Sequence, residues 1–147
     1  HESPRRSEAF VTRKISLGAA RIAAGMGQQL VLGDLEARRD WGYAGDYAEA
    51  MWRMLQLDRP RDLVIGTGVS HSVREFCELA FARVGLDYRD HVVPDRALFR
   101  PADPTSLVAD ARLARELLDW EPGVAFHPLV EMMVSADQKR VQRGDAV

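Results

Sequence analysis

The sequence is short of several things at once, and each shortage removes a class of function. It has one cysteine, Cys77, so no disulfide can form within the chain, which fits a reducing cytoplasm. No apolar run approaches the roughly 20 residues that a membrane span needs, and no segment reads as a secretory leader. Neither sign of charge dominates: 20 Lys and Arg stand against 22 Asp and Glu, a formal net charge of −2. That balance argues against nucleic-acid or membrane-surface binding through bulk electrostatics. The four histidines, His1, His71, His91 and His127, show no ligand spacing, and with a single cysteine they assemble no metal site.

Catalytic signatures are missing too. A dinucleotide-binding turn needs three glycines; Gly66-Thr67-Gly68 lies between an apolar stretch and a helix, but the third position is His71. A tight turn that lets another segment pass close by is the better account of those glycines. No Gly-x-Ser-x-Gly elbow displays a nucleophile. No tyrosine is followed four residues on by a lysine: Tyr43, Tyr47 and Tyr88 are followed by Tyr47, Met51 and Val92. The chain is equipped to bind and poorly equipped to catalyse.

What the sequence does hold is 147 residues, 46% of them apolar, enough for one domain with a real core. Periodicity predicts a helix over 7–25, capped by Ser7, with Phe10, Val11, Ile15, Ala19, Ile22 and Ala23 on one face. A buried strand follows over 29–33. A second helix is expected over 46–57 with Tyr47, Met51, Met54 and Leu55 on one side. "DLVIGTG" (62–68) reads as another strand. Ser70 or Ser72 caps a third helix ending at Arg83, in which Cys77 is a small core residue. Residues 86–105 read as irregular, "SLVAD" (106–110) as a brief strand, and 110–120 and 127–143 as the last two helices. The pattern is α/β, mostly helical with a few short strands. So thin a sheet for so many helices, with no initiator Met, suggests a piece of a larger protein.

Cations gather in loops and at helix starts: Arg5, Arg6, Arg13, Lys14, Arg38, Arg39, Arg96 and Arg100. Arginine's planar fork suits phosphate, and lysine supplies a point charge. Most such residues are ordinarily solvated. Arg39 stands out because Asp40-Trp41-Gly42 would fix it, Asp40 by orienting it and Trp41 by walling off water. Two adjacent arginines repel each other, so an acidic partner or a ligand's phosphates should lie close by.

"HESPRRSEAFVTRKI", "LGDLEARRDWGYAGDYAEAM", "GTGVSHSVREF", "FRPAD" and "DWEPGVAF" together resemble successive motifs of the GDP-mannose 4,6-dehydratase family, extended short-chain dehydrogenase/reductases. The resemblance runs from His1 to about Asp137. It implies that residues 1–147 form the C-terminal GDP-sugar-binding domain and that an N-terminal NADP-binding Rossmann domain, carrying the Tyr-x-x-x-Lys chemistry, is absent. Family members oxidise C4 of GDP-mannose with bound NADP, eliminate water across C5 and C6, and return the hydride to C6. The chain alone is then expected to be inactive, and the parent enzyme a cytoplasmic homo-oligomer.

Position by position, the resemblance implies that His1 and Arg6 touch NADP and that Val11 and Lys14 line the GDP-sugar pocket. Arg39 matches a diphosphate ligand, Arg100 a second phosphate ligand, and Asp103 a carboxylate for ribose hydroxyls. Departures cluster here: Asp34 where the family has Asn, Tyr43 for a His, Gly45 for a basic residue, and Asp103-Pro104 for a longer acidic residue and its neighbour. Two other readings compete: a related nucleotide-sugar epimerase, reductase or dehydratase, and a non-enzymatic helical interaction module.

Overall fold

A computed structural model describes residues 1–99 and 107–145. Its elements are α1 (Val11–Ala23), β1 (Leu30–Leu32), β2 (Arg38–Arg39), α2 (Ala44–Met54), β3 (His71–Ser72), α3 (Val73–Arg83), β4 (Val92–Pro94), α4 (Arg112–Leu118) and α5 (Phe126–Arg143), with 3₁₀ turns at Tyr88–Asp90 and Arg96–Leu98. Helices α1, α3 and α5 pack on one another around the main core. Ile15, Ala19, Phe76, Cys77, Phe81, Leu129, Val130, Met133 and Val134 fill it. Strands β1 and β4 run parallel in the register Leu30↔Val92 to Leu32↔Pro94. Strands β2 and β3 are antiparallel, Arg39 opposite His71.

Helix α3 begins as the sequence says, with Ser72 Oγ accepting from the Glu75 amide at 3.0 Å. Helix α1 does not. Ser7 Oγ turns to the Ala9 amide at 3.4 Å, and the helix opens at Val11 behind Phe10 with no side-chain cap. A short hydroxyl that satisfies a local turn is not free to cap a later helix. The far end is stopped by Gly25 at φ 74°, where Gly25 and Met26 amides reach back to Ile22 and Arg21 carbonyls at 3.0 and 2.9 Å.

Three strand readings change. Residues 62–68 form no ladder among the described residues, although Leu63 and Ile65 turn inward and Val64, 56% exposed, turns outward. Of 106–110, among the described residues, Leu107 makes a single bridge to Arg39. The supposedly irregular 86–105 holds β4, whose Pro94 sits at the strand's end, where the missing N–H costs least.

A second, smaller core joins α2 to α4. Ala50, Ala114, Leu118 and Trp120 pack there with Met54, Leu57, Leu63 and Ile65. The Trp120 indole donates to the Asp46 carbonyl at 3.0 Å. Met51 and Trp52 on α2 and Leu55 just after it, with Leu113 and Leu117 on α4, stay exposed. The sequence pattern put Met51 and Leu55 on the same side as Tyr47, yet Tyr47 is buried while Met51 and Leu55 are exposed.

Cys77 is wholly buried, and desolvation pushes its thiol up to about 12. We expect no reaction with a thiol reagent at pH 8 until the chain is unfolded, as tested by mass spectrometry across a urea series. The unfolded thiol ionises near pH 8.5, so the native state alone keeps its proton above that pH, and stability falls as pH rises from there.

Candidate ligand-binding site

One cavity of about 530 Å³ brings His1, Arg6, Val11, Lys14 and Arg39 together, with Trp41 among its walls. These residues come from the N-terminal segment, the first turns of α1 and strand β2. The N-terminal segment is held at the cavity by a backbone bridge: the Glu2 amide donates to Gly42 O, and Glu2 O accepts from the Ala44 amide, each at 2.8 Å. His1 rests its ring on Tyr47, centroids 4.3 Å apart. Burial pushes the Tyr47 hydroxyl up to about 12, and the carboxylates of Asp40, Asp46 and Glu2 add to the rise. It therefore stays a neutral phenol.

The two adjacent arginines divide their work. Arg38 points to an acid: its Nη1 lies 3.1 Å from Glu75 Oε1, and its Nη2 donates to Ser70 O at 2.7 Å. Glu75 also meets His71 Nδ1 at 2.7 Å. Desolvation raises this carboxyl, but hydrogen bonds from His71 and Arg38 outweigh it and hold it below the ordinary value. Arg39 faces the cavity, with Nη1 donating to the Arg38 carbonyl at 2.6 Å. Lys14 also lines it, with Nζ donating to Val31 O at 2.7 Å, which leaves the ammonium two further protons.

Asp40 does something other than the sequence suggests. Its carboxylate accepts from the Thr67 amide and hydroxyl at 3.1 and 2.5 Å, the Gly68 amide at 2.9 Å and the Ala109 amide at 3.1 Å. It ties the Gly66–Gly68 turn and the segment at Ala109 behind Arg39. Gly66 must be glycine there, since a Cβ would lie 2.2 Å from that of Ala109. Trp41 is buried, stacked on Phe126 and edge-on to Phe76. It forms the apolar wall expected of it. Asp34 lines the same cavity but folds back, Oδ1 accepting from the Glu36 amide at 2.8 Å.

Arg5 and Arg96 are exposed. Arg13 is no ligand-facing cation: it is buried against Asp137, Nε to Oδ2 at 2.9 Å and Nη2 to Oδ1 at 2.8 Å. Arg100 and Asp103 lie outside the described residues. Sequence reasoning missed the buried Glu2 and Thr12, whose hydroxyl donates to Glu2 Oε2 at 2.5 Å. Only their place inside the "HESPRRSEAFVTRK" motif could have pointed to them. Among the described residues no helix is long and apolar enough to cross a membrane.

Solved structures share this architecture. RMD from Pseudomonas aeruginosa, complexed with NADPH, matches with a TM-score of 0.85 at 20% identity over 94% of this chain and 46% of that one. A dTDP-glucose 4,6-dehydratase from Bacillus anthracis, in complex with NAD, matches with a TM-score of 0.76 at 22% identity over 96% of this chain and 43% of that one. The fold is therefore that of extended short-chain dehydrogenase/reductases, of which this chain holds a mostly helical part with few strands. Residues 1–133 match the family model described as GDP-mannose 4,6 dehydratase, and the chain belongs to that family. It is 50% identical to GDP-mannose 4,6 dehydratase 1 of Arabidopsis thaliana over 97% of its length, and 46% identical to the human GDP-mannose 4,6 dehydratase over 93%. It spans about 40% of the length of each.

Proposed function

We propose that this chain is the C-terminal, GDP-sugar-binding part of a GDP-mannose 4,6-dehydratase, a hydro-lyase that converts GDP-D-mannose to GDP-4-dehydro-6-deoxy-D-mannose and water. The observation that carries the reading is the convergence of His1, Arg6, Lys14 and Arg39 on one cavity beside Trp41. Four cationic or titratable donors on one cavity suit a sugar nucleotide, whose phosphates need charge. Arg39 takes the diphosphate, with Arg100 as a second phosphate ligand. Val11 and Lys14 line the GDP-sugar pocket, and Asp103 meets ribose hydroxyls.

NADP, when bound, supplies the hydride acceptor and donor; His1 and Arg6 are the residues of this chain that would hold it. Nothing in these 147 residues provides a Tyr-x-x-x-Lys pair to move the proton at C4. The parent enzyme works in the cytoplasm as a homo-oligomer.

The test is a chimera in which the NADP-binding part of the Arabidopsis relative precedes His1. We expect the chimera to turn GDP-mannose into the 4-keto product, read by mass spectrometry, and the 147-residue chain with NADP to give none. GDP should compete and UDP or dTDP should not. Product from the chain alone, or equal competition by all three nucleotides, would overturn the reading.

A further inference from the structure

We propose that Glu2 is a positioning residue: it holds the Arg6 guanidinium in the orientation from which its two Nη groups meet a phosphate. Glu2 is an acidic residue only 4% exposed. Burying a carboxylate is costly unless it is paired and hydrogen-bonded. Here one oxygen, Oε2, takes the Thr12 hydroxyl at 2.5 Å and lies 3.5 Å from Arg6 Nε. The Glu2 backbone is pinned on both sides to Gly42 and Ala44, so the carboxylate cannot drift.

Arg6 is gripped from a second direction. Its Cζ lies 3.3 Å from the centre of the Phe10 ring, a contact that favours a guanidinium and restricts its plane. Its Nε is buried and makes no hydrogen bond within the described residues. Glu2 therefore acts on Arg6 through charge across 3.5 Å, from a side chain 5% exposed to one 30% exposed. Carboxylate, ring and guanidinium all line the same cavity. An arginine held this way loses little rotational freedom when it binds an anion. Because the Glu2 backbone is bonded to the turn that follows Arg39, the same residue also fixes the spacing between the two arginines. Given the dinucleotide reading above, the anion that Arg6 meets is a phosphate of NADP.

Two measurements test this. In the 147-residue chain, the Arg6 Nε–H signal in nitrogen-15 NMR should be sharp and exchange slowly. Glu2→Gln, which keeps the shape and the backbone bridge, should speed that exchange about tenfold, and Thr12→Val should do so less, since a nearby negative charge favours the protonated guanidinium and opposes the base that removes its proton. Unchanged exchange in both variants would overturn the proposal. In the chimera, Glu2→Gln should weaken NADPH binding about fivefold and Arg6→Ala about tenfold, the double variant should match Arg6→Ala alone, and GDP binding should hold within about twofold. Additive losses, or equal weakening of NADPH and GDP, would mean that Glu2 merely supports the fold. An inactive chimera would count against the functional reading, while the Arg6 exchange would still decide the role of Glu2.

Discussion

Asp137→Ala should lower the stability of the chain by about 3–5 kcal/mol, as expected when one partner of a buried ion pair is removed. Asp137 has no exposed surface. It receives Arg13 through both oxygens, at 2.9 and 2.8 Å, the Ser16 hydroxyl at 2.7 Å and Arg140 Nη1 at 2.9 Å. Arg13 in turn donates to the carbonyls of Pro4 and Arg6 at 3.1 and 3.0 Å, and Arg140 reaches Pro4 O at 2.7 Å. One carboxylate thus joins α1, α5 and the segment that carries His1 and Arg6. Removing it strands a guanidinium that is almost fully buried. The double variant Arg13→Met with Asp137→Leu should recover most of the loss, because neither charge then needs solvation. Urea unfolding followed by circular dichroism measures both, and a cost under about 1 kcal/mol for Asp137→Ala would show that water reaches Arg13.

That network also marks where sequence reading stops. Arg13 and Asp137 are 124 positions apart, and nothing local to either tells that they meet. Arg13 therefore read as one more basic residue at a helix start. Helices α3 and α5 were legible because their signals are local: a serine that caps α3 and apolar residues at helical spacing in both. Strand readings did worse, because a strand is defined by its partner. Residues 62–68 hold a short apolar run of the kind a strand shows, yet among the described residues the amides of Thr67 and Gly68 go to Asp40 instead of to a neighbouring strand. Strand β4 hid behind Pro94, which breaks the apolar pattern without breaking the pairing to Leu32. In the site, the motif resemblance pointed to His1, Arg6, Val11, Lys14 and Arg39, which share a cavity. Glu2 and Asp40 join distant segments, Glu2 through its main-chain bridge to Gly42 and Ala44 and Asp40 through the loop amides of Thr67, Gly68 and Ala109, and neither link is local in sequence.

Arg39→Ala should weaken nucleotide binding in the chimera by about 2–5 kcal/mol, the cost of losing a desolvated charged contact, whereas Arg38→Ala should cost under about 1 kcal/mol. The two arginines are neighbours in sequence and equal in charge, so geometry alone separates them. Arg38 is spent on Glu75 and the Ser70 carbonyl; Arg39 lines the cavity against the buried Trp41. Asp34 tests the electrostatics of the same wall. It adds a negative charge to a cavity proposed for a diphosphate, and at about 6 Å with an effective dielectric near 20 that repulsion would reach about 3 kcal/mol. Asp34 is exposed, however, so solvent and salt screen the interaction to a fraction of that figure. Asp34→Asn keeps an oxygen for the Glu36 amide and removes only the charge. We expect it to tighten GDP binding several-fold in low salt and progressively less as salt rises, measured by calorimetry between about 20 and 300 mM. If Asp34→Asn weakens binding instead, Asp34 accepts a hydroxyl of the ligand and attraction, not repulsion, sets its effect.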